Sequence, residues 1–197
     1  MFTIIRNRET VRSDFVFTCD RLTRLVVEFA LSLLPYESKT VITPTGDEFV
    51  GLSWASSICG VAVIRSGESM EDALRSVCGP VRIGKILIQK NTEENSRDLI
   101  YARLPEDVSS RKVLLMDPVA SSGRTIIRAM KVLLKSGVPE ENVILVTLVA
   151  SRRAVCSILA AFPGLTICVG EVDEAVKGDY VVPGLGTFGD RYYGTDI

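Results

Sequence analysis

Apolar residues recur along this chain in two rhythms, and the switches between them mark out the elements. Residues 20–34, "DRLTRLVVEFALSLL", put Leu22, Leu25, Val26, Phe29, Ala30 and Leu33 at helical spacing, which predicts a helix with those six on one face. "KTVITP" and "EFVGLSW" flank Thr45-Gly46-Asp47 and read as two strands joined by a hairpin turn. "CGVAVI" reads as a strand, followed by the polar "RSGES" and a short helix over "MEDALRSVC". Two extended runs, "IGKILIQ" and "DLIYARLP", enclose the polar "KNTEENSR" and predict a protruding β-hairpin or flap.

From Lys112 onward the rhythm alternates regularly: strand 112–116, helix 125–136, strand 143–150, helix 152–162, strand 166–171. Gly137 and Pro139 stop the first of these helices. "VILVTLV" is nearly continuous in apolar residues, as a strand covered on both faces requires. Strand–helix–strand alternation predicts an α/β fold, a parallel sheet flanked by helices. The tail, "YVVPGLGTFGDRYYGTDI", has no period. With no repeat, low-complexity tract or long linker, residues 1–197 read as a single domain.

Charge and composition narrow the chemistry. A net charge of −1 provides no overall field to recruit nucleic acid or an acidic membrane, so neither is an expected partner and any anion must be held locally. The five cysteines form no CxxC pair, which argues against a zinc site or a disulfide framework and for a reducing, cytoplasmic setting. The start, "MFTIIRNRETVR", lacks the apolar core of a signal peptide. No apolar run reaches the roughly 18 residues of a membrane span. Histidine is absent, which removes Ser-His-Asp and Cys-His catalysis and histidine metal sites.

Four stretches carry candidate chemistry, each with an ordinary structural alternative. In "KVLLMDPVASSGRTIIRAM", Asp117 stands at a strand's carboxyl end, where ligands gather in doubly wound sheets. Ser121, Ser122, Gly123, Arg124 and Thr125 then lead into a helix N-terminus, which favours an anion. They suit a phosphate cradle or a simple N-cap loop equally. Asp117 repels phosphate and suits sugar hydroxyls or a metal. "RSGESMED" repeats the arrangement: Arg65 and Gly67 suit a second anion, and a plain helix cap is the alternative. Two such loops together point to a substrate with phosphates at both ends. "PGLGTFG" matches G-x-G-x-x-G, but no helix and distant acid follow as a dinucleotide site requires. It reads as a backbone-rich loop that binds a flat ring beside Tyr180, or as packed coil. Lys85, Lys90, Arg97 and Arg103 are a solvated face or a basic rim, with Lys90 and Arg103 singled out as flanking the flap.

These stretches together resemble the uracil phosphoribosyltransferases over nearly the whole chain. "GVAVIRSGESME" is similar to their pyrophosphate loop, "GKILIQKNTEE" to the base of their flexible hairpin and "LLMDPVASSGRT" to their phosphoribosyl pyrophosphate (PRPP) signature. "DYVVPGLGTFGDRYYGTD" resembles their uracil-binding tail. The resemblance implies a type I phosphoribosyltransferase fold with a C-terminal base-binding hood. It implies the reaction of uracil with PRPP to give UMP and pyrophosphate, with Mg²⁺ carried on PRPP and not by the protein directly. Arg65 and Lys90 would contact the pyrophosphate, and with Asp117 they are the implied catalytic residues. Asp117 would hold the ribose hydroxyls, and Ala120, Ser121, Ser122, Gly123, Arg124 and Thr125 would wrap the 5′-phosphate. Uracil would be read by main chain at Val181, Gly186, Thr187 and Phe188, beside Tyr180. Members form dimers or larger assemblies, so a homo-oligomer (dimer or tetramer) is implied, and GTP activates some of them. The chain departs from the pattern where Ser121-Ser122-Gly123-Arg124 stands for the usual Ala-Thr-Gly-Gly, with Ser122 keeping a hydroxyl and Arg124 adding a cation. It departs again where Lys90 replaces arginine, and where Thr187 replaces an aspartate that helps bind PRPP. The last two motivate a second reading, a catalytically weak nucleotide-binding or regulatory module.

Overall fold

The computed structural model describes residues 1–91 and 96–195; part of the "KNTEENSR" connection and the final two residues lie outside the described residues. A short helix, α1 (Phe2–Arg6), precedes the long α2 (Arg12–Ser32), which begins well before the predicted position 20. Its buried stripe runs through Phe15, Cys19, Leu22, Val26 and Ala30. Leu25, Phe29 and Leu33, expected on that face, are 57%, 60% and 48% exposed. The helix carries two apolar stripes, each at four-residue spacing, and only packing chooses which one meets the sheet.

The predicted hairpin follows as β1 (Tyr36–Ile42) and β2 (Glu48–Trp54), antiparallel, with Gly46 at φ +90° in the turn. Beyond it come β3 (Ile58–Ile64), α3 (Glu71–Cys78), β4 (Arg82–Asn91) and β5 (Ser96–Arg103). The alternating half contains β6 (Lys112–Met116), β7 (Val119–Ala120), α4 (Arg124–Lys135), β8 (Val143–Ser151), α5 (Arg152–Ala161) and β9 (Thr166–Asp173). β3 to β9 form one seven-stranded sheet in the order β5-β4-β3-β6-β8, with β9 and β7 also on β8. All its pairings are parallel except β4 with β5.

Helices cover both faces of that sheet. α2 and α3 pack with Leu74, Leu114 and Val146 on one face, while Leu115, Ile126, Leu133, Leu145 and Ile158 fill the other. Consecutive residues such as Leu114 and Leu115 thus feed opposite cores, as pleating requires. Every residue of β8 is buried, which explains its unbroken apolar run.

The aperiodic tail is ordered by tethers. It forms a small hairpin, β10 (Ala175–Lys177) and β11 (Tyr180–Val182), then a helix the pattern did not predict, α6 (Phe188–Tyr193). Arg6 makes two 2.8 Å bonds to the Asp173 carboxylate and a third to the Gly184 carbonyl. Arg191 donates to the carbonyls of Ile5, Leu185 and Asn7, with its guanidinium 4.1 Å from the Phe15 ring centroid. Among the described residues, no helix is long and apolar enough to cross a membrane.

Candidate active site

Asp117 sits in a break between β6 and β7. Its N–H donates to the Val146 carbonyl at 3.2 Å, and the Pro118 carbonyl accepts from Leu148 and Val149 at 3.0 and 3.1 Å. Pro118 has no N–H to return, so the strand kinks before β7 rejoins β8. The Asp117 side chain is buried, and burial pushes its carboxyl up to about 7, opposed by the Val119 N–H. Its ionised form is thus balanced against its neutral form near physiological pH.

The following loop discriminates the cap from the cradle. The N-cap of α4 is Gly123 at φ +76°, and no side chain caps that helix. Among the described residues the hydroxyls of Ser121, Ser122 and Thr125 bond no protein partner, so they do not perform the capping that the ordinary reading assigns them. Gly123 is required twice over. Its φ is left-handed, and a Cβ there would stand 2.9 Å from Ile158 Cγ1 and 3.1 Å from the Ala154 carbonyl. Ser151, which the sequence did not single out, pins the loop by donating to the Ser121 carbonyl at 2.5 Å while accepting from the Ala154 N–H. Asp117, Val119, Ala120, Ser121, Ser122, Gly123, Thr125 and Ile126 line a cavity of ≈ 40 Å³, closed on another side by Arg97. The exposed Arg124 side chain instead lines an adjoining groove of ≈ 290 Å³ with Arg97, Ile127, Arg128 and Lys131.

The second predicted loop lies against the first. A Cβ on Gly67 would stand 2.3 Å from the Met116 carbonyl, so only glycine lets this loop press on the end of β6. Arg65, joined to Ile64 by a cis peptide, pairs with Asp190 at 2.5 Å, donates to Thr195 Oγ1 at 3.0 Å and lies 5.6 Å from the Tyr193 ring centroid. Glu68 and Glu71 pair with Lys85 at 2.7 and 3.3 Å, and no side chain caps α3. Plain capping therefore fails at this loop too.

The hairpin and tail supply the rest. Lys90 pairs with Asp179 in the turn before β11. The cation opposite Lys90 across the hairpin is Arg97; Arg103 lies opposite Lys85 at the base, away from the tip. A bulge between Leu87 and Ile88 shifts the register, which counting from the strand ends does not anticipate. The hydrogen bond from Lys90 holds the Asp179 carboxyl below the usual range, with the charges of Arg97 and Arg124 assisting. Asp190 is likewise lowered, chiefly by Arg65 and then by Thr195. Tyr180 is exposed, as are Gly186 and Thr187, whereas the Val181 and Phe188 side chains are buried. Phe188 packs on Phe15 and Tyr192, with centroids at 5.7 and 5.5 Å, so it offers a ligand its main chain and not its ring. Asp179 and Asp190 carried no signal as isolated acids; their role as counterions is purely tertiary.

The chain is similar to known proteins over its full length. The model of the uracil phosphoribosyltransferase family matches residues 1–195. The chain is 47% identical to uracil phosphoribosyltransferase of Dictyostelium discoideum, covering 100% of this chain and 91% of that protein. It is 46% identical to the enzyme of the same name from Saccharomyces cerevisiae, covering 98% and 90%. It is also 46% identical to uridine kinase-like protein 3 of Arabidopsis thaliana, but spans only 42% of that longer relative. Among solved structures, a protein from Aquifex aeolicus superposes with a TM-score of 0.87 at 28% identity, covering 99% and 93%. A purine phosphoribosyltransferase from Pyrococcus horikoshii shares the fold at a TM-score of 0.51 and 13% identity, covering 80% and 91%.

Proposed function

Because the chain belongs to the uracil phosphoribosyltransferase family, we propose that it transfers the phosphoribosyl group of PRPP to uracil, giving UMP and pyrophosphate. The observation that carries this reading is the uncapped start of α4, whose amides and unpartnered hydroxyls line one cavity with the buried Asp117. In this reading the loop from Ala120 to Thr125 wraps the 5′-phosphate, and ionised Asp117 accepts from the ribose hydroxyls. Arg65 and Lys90 exchange Asp190 and Asp179 for pyrophosphate oxygens. Charge that develops on the leaving pyrophosphate then meets fixed cations and amides, which requires no histidine. Among the described residues no three acidic or cysteine side chains converge on a metal position, and Asp117 is the one carboxylate lining the cradle. This fits Mg²⁺ held mainly by the diphosphate itself, where it would neutralise leaving-group charge. Uracil would lie against the main chain from Gly186 to Phe188, beside Tyr180. UMP formation from labelled uracil, PRPP and Mg²⁺ tests the reading; PRPP binding without product overturns turnover.

Thr187 favours a second reading, a nucleotide-binding module of weak activity. It is exposed at the start of α6 and brings no carboxylate where family members usually have one. The longer Arabidopsis relative supports the idea of such a unit within a larger chain. Activity restored by a Thr187→Asp, Lys90→Arg variant over an inert wild type supports this reading, and brisk wild-type turnover discards it.

A homodimer is also proposed. Phe17, Leu25, Phe29 and Leu33 on α2, with Ile42, Phe49, Val50 and Leu52 on the hairpin, are between 48% and 71% exposed. Three of the eight are phenylalanines of roughly 150–250 Å² each, and with the five aliphatic side chains they supply apolar surface on the order of the ~800 Å² per partner of a stable interface. Asp47 and Glu48 at the hairpin tip could pair with the exposed Arg21 and Arg24 among the mixed charges of α2 across a two-fold axis. A monomer by light scattering, unchanged by Leu25→Asp, overturns it.

A further inference from the structure

The cradle lacks a cation of its own. From residues 117 to 126 its lining is one carboxylate, hydroxyls and apolar groups. A phosphate monoester brings a charge of about −1.5 to −2 into this space, beside Asp117. The one cation lining the same cavity, among the described residues, is Arg97 from β5. The strand register sets it directly opposite Lys90, so the two side chains share a face of the hairpin.

Arg97 differs from Arg65 and Lys90 in having no directly paired carboxylate; Asp179, paired with Lys90, meets its charge only at longer range. Its guanidinium makes a single long bond, 3.3 Å to the Ser96 carbonyl, and no carboxylate lies within ion-pair reach among the described residues. Most of its five donors are therefore uncommitted. The groove behind it adds the field of Arg124, Arg128 and Lys131, and Arg128 Nε is buried there without a partner.

We propose that Arg97 is a further substrate-positioning residue, gripping the 5′-phosphate from the hairpin side and closing the cradle over it. The inference deepens the phosphoribosyl-transfer reading and rests on it. It also gives an order to binding. The pyrophosphate end must displace Asp190 and Asp179, whereas Arg97 is ready at once, so the 5′-phosphate end is held first.

Titration calorimetry with ribose 5-phosphate and with pyrophosphate, as separate probes, tests this on the wild type, Arg97→Gln and Arg97→Lys. Arg97→Gln should weaken ribose 5-phosphate about tenfold or more and raise KM for PRPP by a similar factor. Pyrophosphate affinity and KM for uracil should stay within about twofold, and Arg97→Lys should recover part of the loss. Unchanged ribose 5-phosphate affinity in Arg97→Gln, with a wild type that binds it, overturns the role of Arg97 and leaves the proposed function standing. Equal loss of both probes in both variants marks a structural effect and also overturns it. A wild type that binds neither ribose 5-phosphate nor PRPP overturns the phosphoribosyl reading and this inference with it.

Discussion

Arg65 and Asp190, 125 residues apart in sequence, form an ion pair at 2.5 Å that joins the loop after β3 to α6. The Arg65 side chain is 47% exposed, so solvent screens the pair and a multiply charged diphosphate can replace the carboxylate. Asp190→Asn removes that competitor. Calorimetry should show pyrophosphate binding a few-fold tighter, whereas Arg65→Ala should lose most of it.

Asp117 should affect stability and the proposed ribose binding in opposite directions as pH changes. An unfolded chain releases this proton near pH 3.9, whereas the native protein keeps it to about pH 7. Across that window the native state binds more protons, so this group makes stability fall as pH rises. Asp117→Asn should therefore raise Tm relative to the wild type at pH 8, with the difference vanishing toward pH 4. Ribose hydroxyls need the ionised form, so wild-type affinity for ribose 5-phosphate should weaken below about pH 7. The variant should bind weakly at every pH, which a calorimetric pH series would show.

Arg6 and Asp173 hold the tail to the body with side chains only 17% and 5% exposed. Removing the cation leaves a buried carboxylate that keeps, among the described residues, the Gly184 N–H as its hydrogen-bond donor. Arg6→Ala should cost about 3–5 kcal/mol in denaturant unfolding. KM for uracil should rise as well, because Gly184 precedes the loop proposed to read the base.

Gly67 sets how closely the loop after β3 approaches the end of β6. The methyl of Gly67→Ala would stand 2.3 Å from the Met116 carbonyl, and that backbone cannot retreat without moving β6. The expected cost is about 1–3 kcal/mol of stability. A disproportionate loss in kcat/KM for PRPP should accompany it, measurable beside the Tm.

Much of the fold was legible because strand–helix alternation from Lys112 is a local pattern, and β8 shows its burial in its composition. The face of α2 was not, since Leu25, Phe29 and Leu33 repeat as regularly as Leu22, Val26 and Ala30. α6 was hidden for a different reason: six residues are too few to show a period, and its order comes from Arg191 and Phe188 contacts made far away in sequence. Lys90 and Arg103 both flank the hairpin connection in sequence, but strand pairing sets Arg103 opposite Lys85 and brings Arg97 opposite Lys90, a register that a bulge between Leu87 and Ile88 completes.

By itself the sequence determined which groups are available: a carboxylate and hydroxyls after a buried strand, glycines where backbones meet, and no histidine. Those choices act through neighbours in the chain, so they can be read from it. Whether the hydroxyls cap a helix or face a cavity, which acids hold Arg65 and Lys90, and which cation faces the cradle were decided only by the tertiary structure. These are contacts across sheet edges and between distant loops, set by register and packing, on which no local pattern reports.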